Sequence, residues 1–137
     1  MKPGMTVALR GGLGVGKTCF VKGMARGLGI TDCITSPTYT IVCEYPARFG
    51  GGAFSLYHID AYRLSGDEDF ENTGAGELFG TGGIIVIEWS ERIPGSIPQD
   101  AVTVEIVIDN LTGQPTGDLV GRPERRVIRF GLAGTSA

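Results

Sequence analysis

The sequence has 137 residues, of which 42% are hydrophobic and 20% are charged, and this composition excludes intrinsic disorder as the main state. The length fits one compact domain with its own core and effectively excludes a two-domain enzyme. The 12 Lys and Arg and the 15 Asp and Glu give a net charge of −3, which argues against nucleic-acid binding held by global charge.

Cysteine usage and the apolar runs indicate the compartment. The three cysteines are odd in number and form no C-x-x-C pair, so neither a disulfide framework nor a structural zinc site is supported. No apolar run approaches the roughly 18 residues of a membrane span, and no signal-peptide pattern follows Lys2. We therefore expect a soluble, cytoplasmic protein.

The first predicted elements are a strand at residues 5–9, a glycine cluster at residues 11–16 and a helix over about residues 17–28. Apolar residues recur at helical spacing in the last segment, and Gly29 is suited to end the helix. Gly23 and Gly27 lie inside the predicted helix. They either let one helix face pack closely on a sheet or are simply tolerated there.

Beyond the helix, strands dominate the prediction. The expected elements are strands at 39–45 and 54–60 joined by a hairpin turn at 47–53, a short helix at 67–71, and strands at 84–87, 102–108 and 126–130. Four consecutive apolar residues at 84–87 predict a strand that is covered on both faces. Residues 94–98 and 112–123 are expected to be loops. An α/β fold follows from this order of elements.

The glycine cluster carries the strongest functional motif. Residues 11–18 read GGLGVGKT, which matches the phosphate-loop pattern G-x-x-x-x-G-K-[ST] between a predicted strand and a predicted helix. In such a loop, backbone N–H groups and the helix N-terminus hold phosphates, Lys17 reaches the β and γ phosphates, and the Thr18 hydroxyl ligates magnesium. The predicted nucleotide-binding residues of this segment are Gly12, Leu13, Gly14, Val15, Gly16, Lys17, Thr18 and Cys19.

Two carboxylates follow predicted strands. A magnesium-dependent NTPase needs an acid near the metal, and Glu88 comes directly after the apolar strand at 84–87. Asp60 ends its own predicted strand in the same way. Ligands of open α/β sheets gather at the carboxyl ends of the strands, so both acids are candidates for the site. The alternative is that they are solvated acids at strand ends.

Four segments resemble, in order, the signature blocks of the TsaE family. They read GGLGVGKT at 11–18, TSPTYT at 35–40, HIDAYRL at 58–64 and IEWSER at 87–92. TsaE proteins are the ATPase subunits of the bacterial machinery that makes threonylcarbamoyladenosine in tRNA. The resemblance covers about residues 5–110. It implies a single-domain P-loop NTPase over residues 1–137, with a mixed β-sheet flanked by a few helices and a C-terminal strand and tail at 111–137.

The resemblance also implies roles for individual residues. Lys17 and the loop amides would hold ATP, and Thr18 and Glu88 would ligate Mg²⁺. Asp60 would be the essential acid that orients water or metal, and Lys17 would join it in catalysis. Thr38, in the TSPTYT segment, would act as a switch residue that senses the γ-phosphate and so belongs to the predicted nucleotide-binding set.

The implied partners are the threonylcarbamoyl transferase subunit and its paralogous scaffold subunit, with tRNA as the substrate of the complex. Hydrolysis by the isolated chain is expected to be slow and to be raised by these partners. Two other functions stay open at this point. A small-molecule kinase would add an acceptor site and an arginine lid, for which Arg63 and Arg92 are available, and a nucleotide-sensing module would bind without significant turnover.

The sequence departs from the family pattern at two places. The family usually has a longer segment before the phosphate-loop strand, which is expected to contribute to the core and the adenine pocket. This sequence has only residues 1–4 there, so we expect it to be incompletely built or to begin at a late start codon. Gly12 also replaces a usual acidic residue. His58 is either a proton carrier or a structural packing residue, and a single histidine in a strand favours the structural role. Trp89 belongs to the motif without a derived role, or it is a packing aromatic beside the site. The arginine cluster at 122–129 is either a solvated strand face or a surface for tRNA or an acidic partner.

Overall fold

The computed structural model describes residues 4–12, 16–31, 34, 41–49, 51–109 and 125–133. Its strands are β1 (Thr6–Arg10), β2 (Val42–Phe49), β3 (Gly52–Asp60), β4 (Ile84–Glu88), β5 (Val102–Asp109) and β6 (Arg125–Leu132). Its α-helices are α1 (Lys17–Gly27) and α2 (Asp67–Asn72), and short 3₁₀ helices cover Ala75–Gly80, Ser90–Arg92 and Pro94–Ser96.

The six strands form one mixed sheet in the order β2-β3-β4-β1-β5-β6. The four central strands run parallel, and the two edge strands, β2 and β6, pair antiparallel with their neighbours. This arrangement confirms the predicted α/β class with a mixed sheet and few helices. Because β1 pairs with β4 and β5 and not with β2, the strand that runs into Gly11 lies in the middle of the sheet.

Apolar side chains cover both faces of the sheet. One cluster packs α1 on the sheet and includes Val21, Leu28 and Val86, and the opposite cluster packs Phe70 of α2 near Ile87. All five residues of β4 are buried, which confirms the prediction of a strand covered on both faces. Alternate residues of β4 therefore serve different clusters, and the side chain of its last residue follows the α1 face.

The hairpin is tighter than its sequence predicts. We expected a turn over residues 47–53, but β2 and β3 stay paired from Val42 with Ile59 to Phe49 with Gly52. The prediction was wrong because cross-strand pairing outweighed the local turn propensity of the glycines. Pro46 is tolerated within β2 since this strand lies at the sheet edge. The expected loop at residues 112–123 and the start of the strand at 39–45 lie outside the described residues.

Helix α1 ends as its sequence predicts. Gly29 adopts φ 72°, and the N–H groups of Gly29 and Ile30 donate to the carbonyls of Arg26 and Ala25, which is the Schellman pattern. Gly23 and Gly27 are exposed on this helix, and a Cβ added at either would meet no atom within 4 Å. The hypothesis that they let a helix face approach the sheet is therefore wrong.

Candidate nucleotide-binding site

The carboxyl ends of three parallel strands meet beside the start of α1. β1 runs into Gly11, β3 ends at Asp60, and β4 ends at Glu88, with Asp60 and Glu88 directly paired in the parallel register. The backbone N–H of Ala61 also donates to the carbonyl of Glu88 at 3.0 Å. The two acids that sequence reasoning proposed are thus brought together at one sheet edge, where α/β proteins bind ligands.

Lys17 is the first residue of α1 and lies almost fully inside the protein, with 5% of its surface exposed. Its ammonium donates to the carbonyl oxygen of Gly11 at 2.5 Å and lies 3.2 Å from the centre of the Trp89 ring. Gly16 precedes it with φ 106° and ψ 21°, a left-handed conformation that favours glycine. A buried cation therefore lies at the start of α1, next to the carboxyl end of β1.

Three carboxylates act electrostatically on this cation. Burial lowers the pKa of Lys17 because the charged form loses hydration, whereas the negative charges of Glu91, Glu88 and Asp60 oppose this shift. Burial likewise raises the pKa of Asp60. The N–H of Tyr62, 2.9 Å from Oδ1 of Asp60, opposes that rise, and the charge of Glu88 adds to it. Burial thus favours the neutral form of both Lys17 and Asp60, and the neighbouring charges modify this effect.

Both oxygens of Glu88 accept hydrogen bonds. The Thr18 hydroxyl donates to Oε1 at 3.1 Å, and Nε2 of His58 lies 2.5 Å from Oε2. Glu88 is 3% exposed and His58 is completely buried. The carboxylate is therefore held from α1 on one side and from β3 on the other, next to the end of the phosphate loop.

The segment after β4 contacts the site through Trp89 and Glu91. Trp89 adopts φ 60° and ψ 39°, a left-handed conformation that is uncommon for a bulky residue and is often found at functional sites. Its ring packs on Tyr62 with 4.9 Å between ring centres, and the Arg92 guanidinium lies 5.0 Å from the centre of the Tyr62 ring. Glu91 reaches the loop, where Oε2 accepts from the N–H of Gly11 at 3.3 Å.

The structure places the remaining predicted residues as follows. Gly12 is exposed at the start of the loop, and Cys19 is an exposed free thiol in the first turn of α1. Leu13, Gly14, Val15 and Thr38 lie outside the described residues. In the basic segment at 122–129, Arg129 pairs with Glu105 at 3.2 Å on the surface.

Sequence reasoning missed two contacts of the site. His58 was expected to be a packing residue, and it is buried, but it also contacts Glu88. Its position two residues before Asp60 on a strand was a usable signal, since residues i and i+2 share one face of a strand. Glu91 belongs to the IEWSER segment but had no predicted role, and no periodicity indicates that its side chain contacts Gly11.

The donor set of the site suits a hard divalent cation. The Thr18 hydroxyl and a Glu88 carboxylate oxygen are neighbours, and Mg²⁺ prefers oxygen ligands. Within the part of the chain that the structure describes, no group of three or more His, Cys, Asp or Glu is arranged to hold a metal.

Residues 1–114 match the family model described as "Threonylcarbamoyl adenosine biosynthesis protein TsaE". This chain belongs to the TsaE family. The family resemblance found in the sequence motifs is thereby confirmed. Within TsaE, the chain is 48% identical over 107 residues to a protein of Treponema pallidum named "tRNA threonylcarbamoyladenosine biosynthesis protein TsaE", a match that covers 77% of this chain and 75% of the relative.

Other TsaE relatives and a solved structure agree. The chain is 42% identical to the TsaE protein of Bacillus subtilis over 77% of its own length, and 42% identical to that of Haemophilus influenzae over 73%. It spans 63% and 61% of these two relatives, which is less than two thirds of each. The crystal structure of Bacillus subtilis YdiB superposes with a TM-score of 0.66 and 32% identity over 96% of this chain and 71% of YdiB.

The fold of this TsaE chain is that of a P-loop NTPase, as the strand, phosphate loop and helix predict. Over the ranges that the structure describes, none of the helices has both the length and the apolar character that crossing a membrane requires.

Proposed function

We propose that this chain is the Mg²⁺-dependent ATP-binding and ATP-hydrolysing subunit of a complex that makes threonylcarbamoyladenosine in tRNA. The observation that carries the proposal is the meeting of Lys17, Thr18 and Glu88 at the carboxyl edge of the sheet, directly after the phosphate loop. The names of the TsaE relatives supply the process, since they state tRNA threonylcarbamoyladenosine biosynthesis.

Nucleotide binding would use the loop and the start of α1. The helix N-terminus presents backbone N–H groups and a partial positive charge to phosphate oxygens. Lys17 now donates to a loop carbonyl at Gly11, and phosphate oxygens are stronger acceptors for an ammonium than a neutral carbonyl is. We therefore expect Lys17 to exchange Gly11 for phosphate and to leave the face of the Trp89 ring.

Magnesium would be held by Thr18 and Glu88. When bound, the ion would neutralise the charge that develops on the β and γ phosphate oxygens. The protein contributes a hydroxyl and an acidic oxygen that are already in hydrogen-bond contact, 3.1 Å apart. Little rearrangement of these two side chains would be needed to turn both toward one ligand.

Asp60 would orient the attacking water and accept its proton. It lies beside Glu88 in the paired strands, and burial raises its pKa above that of an ordinary aspartate. A higher pKa makes its carboxylate a better proton acceptor, as general base catalysis requires. Asp60 is thus suited to the turnover step, whereas Lys17 is suited mainly to holding phosphates.

The partners are proposed to be the threonylcarbamoyl transferase subunit and its paralogous scaffold subunit. P-loop enzymes that hydrolyse slowly alone are often completed by an arginine from a partner protein. In this chain, the Arg92 side chain packs on the rings of Tyr62 and Trp89 beside the site. We propose that docking to the partners raises turnover, with tRNA as the substrate of the whole complex.

The deciding experiment measures ATP binding and ATP hydrolysis with Mg²⁺, each with and without the two partner subunits and tRNA. Lys17→Met should weaken ATP binding at least about tenfold, since it removes a charge-assisted contact of about 1.5–3 kcal/mol. Asp60→Asn should retain binding and lose about 10²-fold or more in turnover. Lys22→Met, an exposed lysine on the same helix, and Glu105→Gln, a partly exposed carboxylate on β5, are matched controls that should change neither.

Each other outcome identifies a different function. Tight ATP binding with negligible turnover under all conditions would indicate a nucleotide-sensing module and contradict the hydrolysis proposal. ATP consumption only in the presence of a small phosphate acceptor would indicate a kinase. A wild-type chain that is folded but binds no nucleotide would overturn the proposal at its first step.

A further inference from the structure

The buried contact between His58 and Glu88 has no role in the proposed function so far. His58 is completely buried on β3, and its Nε2 lies 2.5 Å from Oε2 of Glu88. The other Glu88 oxygen, Oε1, accepts from the Thr18 hydroxyl at 3.1 Å. The two oxygens of one carboxylate are therefore held by different elements, β3 and α1.

The strand register creates this contact. Asp60 is the direct neighbour of Glu88, and Val86 is the direct neighbour of His58, so the contact between His58 and Glu88 is diagonal across the parallel pair. Leu56, His58 and Asp60 alternate along β3 and share one face, which is the face of α1. His58, which is completely buried, thus contacts Oε2 of Glu88, whereas Thr18 contacts Oε1.

The chemistry of the contact specifies its direction. An ionised carboxylate can only accept hydrogen bonds, so with Glu88 ionised the proton of this contact belongs to Nε2 of His58. The Nδ1 atom is buried, and within the described residues it has no hydrogen-bond partner. Among the described residues, the hydrogen bond of Nε2 to Glu88 is therefore the polar contact of this ring, and the ring is otherwise packed in the interior.

We propose that His58 is a positioning residue, which holds Oε2 of Glu88 so that Oε1 stays turned toward Thr18 and the magnesium site. This inference rests on the proposed function. Without the His58 donor, Oε2 would be a buried acceptor with no partner, and the carboxylate would rotate toward Thr18 or toward Lys17 to regain one. Residues that orient a metal ligand typically change metal affinity by about 10- to 100-fold when they are removed.

The alternative is that His58 only fills space in the core. The two explanations differ in what Mg²⁺ does to nucleotide binding. A positioning residue affects only the part of the affinity that depends on Mg²⁺. A residue that only stabilises the fold affects the melting temperature and, in the folded protein, leaves the effect of Mg²⁺ on nucleotide binding intact.

The experiment measures the dissociation constant of ATP by calorimetry in EDTA and in Mg²⁺. The ratio is the value in EDTA divided by the value in Mg²⁺, so a high ratio means that Mg²⁺ strengthens ATP binding. His58→Leu removes the donor and keeps a buried apolar side chain, and it should reduce this ratio about 10- to 100-fold with little change in EDTA. His58→Gln places an amide N–H at a reach similar to that of Nε2, and it should restore most of the ratio. Melting of the nucleotide-free variants shows that each is folded.

A double-mutant cycle with Glu88→Gln tests the route of the effect. If His58 acts through Glu88, His58→Leu should have no further effect on the ratio once Glu88 is replaced. His58→Leu alone leaves the buried Glu88 charge without its partner, and this variant can fail to fold for that reason. The double variant lacks this charge, so it can be measured in place of the single variant. In that case, loss of the ratio in folded His58→Gln would overturn the inference, and so would a further loss in the double variant relative to Glu88→Gln.

The results separate this inference from the proposed function. A wild-type ratio of one would overturn the magnesium part of the proposed function and this inference with it. A high wild-type ratio that persists in folded His58→Leu would overturn the role of His58 alone. Equal loss in His58→Leu and His58→Gln would also overturn it, because the donor would then not be the feature that matters.

Discussion

One glycine inside α1 and one glycine just after it should respond in opposite ways to the same substitution. Gly23 lies inside the helix, is exposed, and has no atom within 4 Å of the position that a Cβ would take. Gly29 follows the helix with φ 72°, and a Cβ there would lie 3.2 Å from the carbonyl oxygen of Arg48. Gly23→Ala and Gly29→Ala have identical compositions, so any difference between them arises from position.

The magnitudes follow from backbone conformation. Gly23→Ala should stabilise the protein by about 1 kcal/mol, because alanine favours a helix interior by about that amount over glycine. Gly29→Ala should destabilise it by about 1 kcal/mol or more. Left-handed backbone costs an alanine about 1–2 kcal/mol, which exceeds the stabilisation of about 0.4–1 kcal/mol from a less flexible unfolded chain. The tight approach to the Arg48 carbonyl adds to this cost.

Thermal unfolding followed by circular dichroism measures both effects. The entropy of unfolding for a chain of this length is about 0.3 kcal/mol/K, so 1 kcal/mol corresponds to about 3 °C in Tm. Gly23→Ala should raise Tm by about 3 °C, and Gly29→Ala should lower it by at least a similar amount. A Tm for Gly29→Ala that equals or exceeds the wild-type value would refute the assigned left-handed cap, and a lower Tm for Gly23→Ala would refute its open surroundings.

Three further measurements address the site and the surface. Burial raises the pKa of Asp60 above its unfolded value of 3.8. The folded state therefore loses stability as pH rises from the unfolded pKa to the folded pKa. Asp60→Asn should raise Tm at neutral pH, and this gain should vanish below the unfolded pKa. Trp89 is the single tryptophan of the sequence, so its fluorescence should change when ATP draws Lys17 from the ring, and Lys17→Met should abolish that response; an unchanged spectrum at saturating ATP would contradict the movement of Lys17. The exposed pair of Arg129 and Glu105 should contribute less than about 1 kcal/mol in a double-mutant cycle of unfolding free energies, and a larger coupling would show that the pair is shielded from water.

Much of the candidate site could be predicted because its signals are local. The phosphate-loop pattern around Lys17 and Thr18 is a run of eight residues between a strand and a helix, and both of these elements are present in the structure. The apolar run at 84–87 predicted a buried strand, and Glu88 follows it at the carboxyl end. The position of Asp60 at the end of β3 was predicted in the same way. The roles of these residues in binding and turnover stay predictions.

The parts that sequence reasoning missed depend on pairing between distant segments. The glycine-rich turn was predicted too long because the pairing of β2 with β3 outweighs local turn propensity. The Glu91 contact to Gly11 joins residues 80 positions apart, and no periodicity indicates it. The left-handed conformation of Trp89 places its ring on Lys17, and nothing in the composition of the IEWSER segment requires that conformation.

The sequence by itself determined the family, the α/β class, the phosphate loop and the identity of the acids that follow the strands, since each depends on residues that are neighbours along the chain. Only the tertiary structure decided that β4 lies between β1 and β3, and that Asp60 pairs with Glu88 while His58 contacts it diagonally. The physical reason is that strand order and register are set by how apolar faces pack across the whole sheet. A one-residue slip in register would turn every side chain of a strand to the other face and would separate Glu88 from both Thr18 and His58.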